Sequence, residues 1–243
     1  MSRVGDRAQR LEARVTKKSF RTASGQGVPV IADLSFVLEE GETGALIGPS
    51  GCGKSTLMRI LAGLDRNFEG SVHLPADGRV GMVFQEPRLL PWRSVGDNVR
   101  LAAPDASEAE VTALFAALGL LEHRTHFPGE LSVGLARRAA LARAFAVRPT
   151  LLLLDEPFVS LDAPLARQLH GDLIRLVESR RMITVLVTHD VDEAIALADR
   201  IFVLSARPSH VVAEIRVKNP RAAMTGEEAQ AVAARIEGLR QPG

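Results

Sequence analysis

The sequence predicts an α/β fold: a mostly parallel sheet, antiparallel β strands on the N-terminal side, and an inserted helical subdomain. Three observations carry this expectation. Short apolar runs at Gly44–Ile47, Leu151–Leu154 and Ile183–Val187 run into glycine-rich, charged or polar clusters, as strands buried in a parallel sheet do. Past residue 150, strand-like and helix-like segments alternate: Leu151–Leu154, Pro164–Arg180, Ile183–Val187, Asp192–Ala198 and Ile201–Leu204. From about Gln85 to Pro149 the pattern is helical instead.

Taken in order, residues 1–12 read as a loose arm. Glu12–Lys17 and Val28–Leu38 read as strands separated by the turn Ser24-Gly25-Gln26-Gly27. Gly44–Ile47 enters a glycine-rich loop, and Ser55–Gly63 is a helix closed by glycine. Ser71–Leu74 and Val80–Phe84 are strands around the Pro75–Gly78 turn. Ser107 and Glu110 form a Ser-x-x-Glu capping box, followed by Val111, Leu114, Phe115 and Leu118 on one helical face. A further helix spans about Val133 to Val147, closed by Pro149. The expected domain covers 13–210, with the helical subdomain at about 88–148. Residues 211–243 form a short C-terminal extension with one helical stretch, Thr225–Leu239.

Composition narrows the function. With 243 residues the chain suits one large domain, or a core with a small subdomain, at roughly 100–200 residues per domain. Hydrophobic residues make up 46% and charged residues 24%, which excludes a disordered chain. The net charge of +1 gives no electrostatic reason to expect a nucleic-acid partner. The single cysteine, Cys52, excludes an internal disulfide framework and a cysteine-built zinc site. Met1–Lys18 is too polar for a secretory signal, and no run approaches the ~18 apolar residues of a membrane span. The expected location is therefore cytosolic, with room for docking against a membrane protein.

Gly48-Pro49-Ser50-Gly51-Cys52-Gly53-Lys54-Ser55-Thr56 fits G-x-x-x-x-G-K-[ST], with a strand before it and a helix after. Glycines let the backbone approach phosphate oxygens. Lys54 would reach the β- and γ-phosphates, Ser55 would ligate Mg²⁺, and the helix N-terminus favours the anion. A glycine-rich turn with a chance lysine is the plain alternative, and the flanking elements disfavour it. Cys52 reads as a small loop residue in preference to a redox switch.

Leu151–Leu154 leads into Asp155-Glu156-Pro157. Ligands of open α/β sheets bind at the carboxyl ends of strands. There Asp155 would hold Mg²⁺ through water and Glu156 would polarise the attacking water. His189 and Gln85 each follow an apolar run, and on its own each is more often a structural residue than a site residue.

In this order the motifs closely resemble the nucleotide-binding subunit of ATP-binding cassette (ABC) transporters, over roughly Ala13 to Arg207. The resemblance implies a P-loop NTPase core and gives roles to further residues. Gln85, in Val83-Phe84-Gln85-Glu86-Pro87, matches the Q-loop, which contacts Mg²⁺ or water and couples to the membrane subunit. Leu131-Ser132-Val133-Gly134-Leu135 occupies the signature position. Asp155 and Glu156 match the Walker B pair, Ser160-Leu161-Asp162 the D-loop, and His189 the switch histidine. Phe20 sits where the family places an aromatic that stacks on adenine. The signature departs from Leu-Ser-Gly-Gly-Gln: Val133 replaces a glycine and Leu135 the glutamine, while Ser132 and Gly134 remain. Were positive φ needed at 133, the β-branched side chain would strain the backbone.

The mechanism implied is a head-to-tail, ATP-dependent dimer. Each ATP lies between the phosphate loop of one copy and Ser132 and Gly134 of the other, and hydrolysis through Glu156 reopens it. The expected partners are a transmembrane permease, a second copy of the chain, and a periplasmic or extracellular solute-binding protein. The subunit would then sit on the inner face of the membrane. Gln85-Glu86-Pro87-Arg88-Leu89-Leu90-Pro91-Trp92 is similar to the importer ATPases for nitrate, taurine and alkanesulfonates, where this segment faces the permease. Trp92 is an interface anchor or a core residue on this reading. An exporter ATPase, a low-activity cassette in a heterodimer, a DNA-maintenance ATPase and a small-molecule kinase are the competing readings. The single cassette with its ordered motifs favours the transporter subunit.

Overall fold

Leu11, Ala13 and Val15 are buried while their neighbours are not, the period of two that a half-buried strand requires. They lie on β1 (Arg10–Arg21), which pairs antiparallel with β2 (Gly27–Glu39). The computed structural model describes residues 10–22, 25–75, 78–159, 161–217 and 225–240. The remaining elements follow as β3 (Thr43–Ile47), α1 (Lys54–Leu61), β4 (Glu69–His73), β5 (Val80–Val83), α2 (Val95–Ala102), α3 (Glu108–Ala117), α4 (Val133–Ala146), β6 (Leu151–Asp155), α5 (Ala163–Arg180), β7 (Ile183–Val187), α6 (Val191–Leu197), β8 (Arg200–Leu204), β9 (Val211–Arg216) and α7 (Gly226–Arg240). The chain divides into two compact units, Met1–Gly78 with Ile183–Gly243, and Arg79–Met182.

In the first unit β2, β1 and β4 form an antiparallel sheet. β3 lies between β7 and β8 with both neighbours parallel, and β9 closes the edge antiparallel to β8. Every residue of β3 and of β7 is buried, which explains why both are apolar apart from Thr43 and Thr184. α6 packs on β3, and α7 packs on α6 and β8, burying Ile236.

In the second unit β5 and β6 pair in parallel. α4 packs against α2, α3 and β5. The capping box of α3 is formed: Ser107 Oγ accepts from Glu110 N, and the Glu110 carboxylate accepts from Ser107 N. Val111, Leu114, Phe115 and Leu118 are all buried. Gly81 marks where α4 approaches β5 most closely. A Cβ on it would lie 2.5 Å from the carbonyl oxygen of Ala144.

The α/β architecture, the antiparallel N-terminal strands and the helical insertion are as the sequence predicts. Two boundaries differ. Arg10–Glu12, assigned to the loose arm, already belong to β1. Val211–Arg216, assigned to the C-terminal extension, forms β9 on the sheet edge. Val211, Val212, Ala213 and Ile215 are apolar, but only Ile215 is buried, as suits an edge strand beside solvent.

Gly81→Ala is expected to destabilise the protein by about 2 kcal/mol, because a backbone carbonyl cannot yield to the new methyl; the midpoint of urea unfolding measures this. The Ser107 amide, then Arg148, hold the Glu110 carboxyl down from 4.5 to about 2. Its contribution is therefore complete above pH 4.5 and fades as pH falls toward 2. Glu110→Gln should flatten that part of an acid-unfolding curve.

Candidate nucleotide site

The phosphate loop leaves the carboxyl end of β3. Leu46 pairs with Val187 of β7 and Ile47 with Val203 of β8, so Gly48 and His189 emerge from the same edge of the sheet. Gly53 begins α1 with φ 118°, a left-handed backbone that favours glycine. It offers no side-chain cap, which leaves the start of α1 suited to an anion. Lys54 is buried, its Nζ donating to the carbonyls of Gly48 at 2.7 Å and Pro49 at 3.1 Å. The ammonium is thus folded into the loop whose bound phosphate it would neutralise. Pro49, Ser50, Gly51 and Ser55 are exposed and Thr56 is half-buried. Cys52 is 2% exposed, which fits the small loop residue and not a thiol open to oxidants.

His189 is exposed at the end of β7. Its neighbours hold the turn: Thr188 Oγ1 accepts from Asp190 N at 3.0 Å and donates to Glu193. Asp190 caps α6 through the amides of Asp192 and Glu193. Phe20 is 45% exposed near the end of β1, with Lys18 Nζ 4.8 Å from its ring centre. Lys18 is itself buried against Asp65 and the carbonyl of Asn67.

The second unit holds the other predicted residues. Val83 pairs with Leu154, so Gln85, Asp155 and Glu156 leave the same edge of the β5–β6 pair. Glu156 has φ 46°, a left-handed conformation for a non-glycine residue that costs on the order of 1–3 kcal/mol. Ser132 is exposed and caps α4, its Oγ accepting from Leu135 N at 3.3 Å. Val133 opens α4 and is not among the residues with positive φ, so the substituted signature carries no backbone strain. Gly134 is buried, with Leu165 Cδ1 2.9 Å from where a Cβ would stand. Asp162 caps α5, accepting from Leu165 N at 2.8 Å. Ser160 lies outside the described residues.

Three residues that sequence reasoning passed over position this edge. Arg137 on α4 is buried, and its guanidinium donates to the carbonyl of Gln85 and, at 3.4 Å, to that of Val159. Burial lowers its pKa, and the charge of Glu86 opposes the shift. Arg143 donates to the carbonyls of Pro87 and Arg88. Asn98 is 2% exposed and binds Leu90 through both its N–H and its carbonyl, and Arg93 through its carbonyl. It thereby fixes the loop on which Trp92 stands 71% exposed. This exposure removes core packing as the explanation of Trp92. The available signal was the placing of cationic or amide side chains within apolar helical stretches, where burial demands partners.

A family model described as ABC transporter matches residues 31–159. The chain is 43% identical over 219 residues to a Burkholderia lata protein named aliphatic sulfonates import ATP-binding protein SsuB 2, covering 87% of this chain and 78% of that one. A Frankia alni protein of the same name is 50% identical over 191 residues, covering 78% and 76%. Among solved structures, a dimeric bacterial ABC transporter cassette, MJ0796, aligns with TM-score 0.74 and 27% identity over 86% of this chain and 99% of that one. The same cassette in a post-hydrolysis dimer with ADP and Pi gives 0.72 over the same shares. With its motifs in place at the carboxyl ends of its strands, the chain belongs to the ABC transporter family, as one of its ATP-hydrolysing cassettes.

Proposed function

We propose that this ATPase energises import of an aliphatic sulfonate, or a related small solute such as taurine or nitrate, through a membrane permease. The observation that carries the reading is the identity to named sulfonate-import subunits over most of the chain. No helix among the described residues is long and apolar enough to cross a membrane. On this reading the partner is a membrane permease, and a solute-binding protein would deliver the cargo. The exposed Trp92, on its Asn98-clamped loop within the helical segment, is a suitable anchor for that contact.

At the site, Gly48–Thr56 would wrap the phosphates, with Lys54 on the β- and γ-phosphates and Phe20 against adenine. Ser55 and Asp155 bring only oxygen donors, and no cluster of three His, Cys, Asp or Glu able to hold a metal is present among the described residues. So sparse a set fits Mg²⁺ held chiefly by nucleotide phosphates and water. When bound, Mg²⁺ would offset the negative charge of the nucleotide phosphates. Glu156 accepts the proton of the attacking water, Gln85 helps orient that water, and His189 contacts the γ-phosphate. Ser132 and Gly134 of a second copy, with Asp162 at the shared face, close the site head to tail. The solved relative described as dimeric supports this assembly.

Lys54→Ala should weaken Mg-ATP binding at least about tenfold in calorimetry, by removing the loop's cation. Glu156→Gln should bind ATP yet lose on the order of a hundredfold or more in turnover. Light scattering should then show a monomer becoming a dimer only with Mg-ATP, and near-normal turnover in this variant would reject Glu156 as the base. Import itself is checked by deleting the gene: growth on an alkanesulfonate as the only sulfur source should fail and growth on sulfate persist.

A further inference from the structure

The unit Arg79–Met182 carries a cleft of about 440 Å³ that the nucleotide chemistry does not use. Arg79 and Thr150, on its rim, precede β5 and β6. Gln85, Asp155 and Glu156 follow the same strands. The cleft therefore opens at the opposite edge of this parallel pair, about 15 Å along the strands from the candidate carboxylates.

Its lining joins two chemistries. Arg79, Arg148 and Arg180 face it with Glu110 as the only acid among the described lining residues, an excess of two positive charges there. Val111, Leu114 and Phe145 form its apolar floor, each at most 4% exposed, with Arg180 lying over Phe145. Glu110 is already engaged, accepting from Ser107 N and pairing with Arg148. Arg180 lies over the Phe145 ring, 5.4 Å from its centre, and donates to the Phe145 carbonyl at 2.7 Å. Arg79 has no side-chain hydrogen bond or ion pair among the described residues. Burial, then repulsion from Arg148, lowers the pKa of Arg180. An anion would relieve that repulsion, and the volume falls within the range of small-molecule pockets. A bare inorganic anion would leave the apolar floor unmatched.

We infer that this cleft binds a small organic oxyanion, with a sulfonate or phosphate headgroup on Arg79, Arg148 and Arg180 and a short apolar group against Val111, Leu114 and Phe145. Guanidinium forks match tetrahedral oxyanions through paired N–H donors. The inference does not rest on the transport reading, because the headgroup chemistry is read from the cleft alone.

Calorimetry of the full chain tests it, with Mg-ADP saturating the phosphate loop so that no probe binds there. Hexanesulfonate and hexyl phosphate are the probes, and the tighter of the two identifies the headgroup. At least one should bind once per chain with a dissociation constant below about 1 mM. Arg79→Gln, at an exposed side chain with no hydrogen bond or ion pair among the described residues, should weaken that binding at least about fivefold while ADP affinity stays unchanged. Arg180→Gln should do the same, provided ADP binding shows it folded. Absence of binding by both probes up to about 10 mM, equal binding to Arg79→Gln and the parent, or inorganic sulfate binding as tightly as hexanesulfonate would each overturn the inference.

Discussion

The pairing of β3 with β7 and β8 is the constraint on which the phosphate-binding half of the molecule depends. A strand covered on both faces has no water for its backbone, so its amides and carbonyls must be met by neighbours on both sides. Parallel neighbours on both sides also bring consecutive loops out at one edge. The register of Leu46 with Val187 and of Ile47 with Val203 places Gly48 and His189 at that edge whatever their own side chains do. The glycines then decide only how the loop curves, and Lys54 how its charge is held.

The other unit solves a similar problem with side chains. β5 and β6 are short, and the loops after them have few strand partners of their own. α4 supplies these. Its backbone comes close enough at Gly81 to exclude a methyl, and Arg137 and Arg143 reach the carbonyls of the loop after β5. The helix that begins at Ser132 is therefore tied directly to the segment carrying Gln85. The two are joined by charge-assisted hydrogen bonds, which are shorter and stronger than neutral ones.

Much of this was legible in the residues. The capping box at Ser107, the buried runs ending in Gly48 and Asp155, and the cassette motifs each rest on a local pattern with a local cause. What was not legible depends on pairings that the residue type alone does not announce. Asn98 looks like a poor helix residue until the Leu90 backbone is brought against it. β9 carries Val211, Val212, Ala213 and Ile215, a run too short to declare itself until it pairs with β8. Arg137 and Arg143 look like solvent cations among alanines until the loop carbonyls appear. The concern over Val133 was resolved by position: the first turn of a helix asks nothing of the backbone that valine cannot give.

The lone cysteine of the chain has a practical consequence. Cys52 sits sealed at the base of the phosphate loop, so a thiol reagent reaches it only when the loop opens locally. The rate of alkylation of the unmodified protein is thus a clock for that opening. With no second thiol to confuse the signal, slowing of the clock by a nucleotide measures how firmly the occupied loop is held shut.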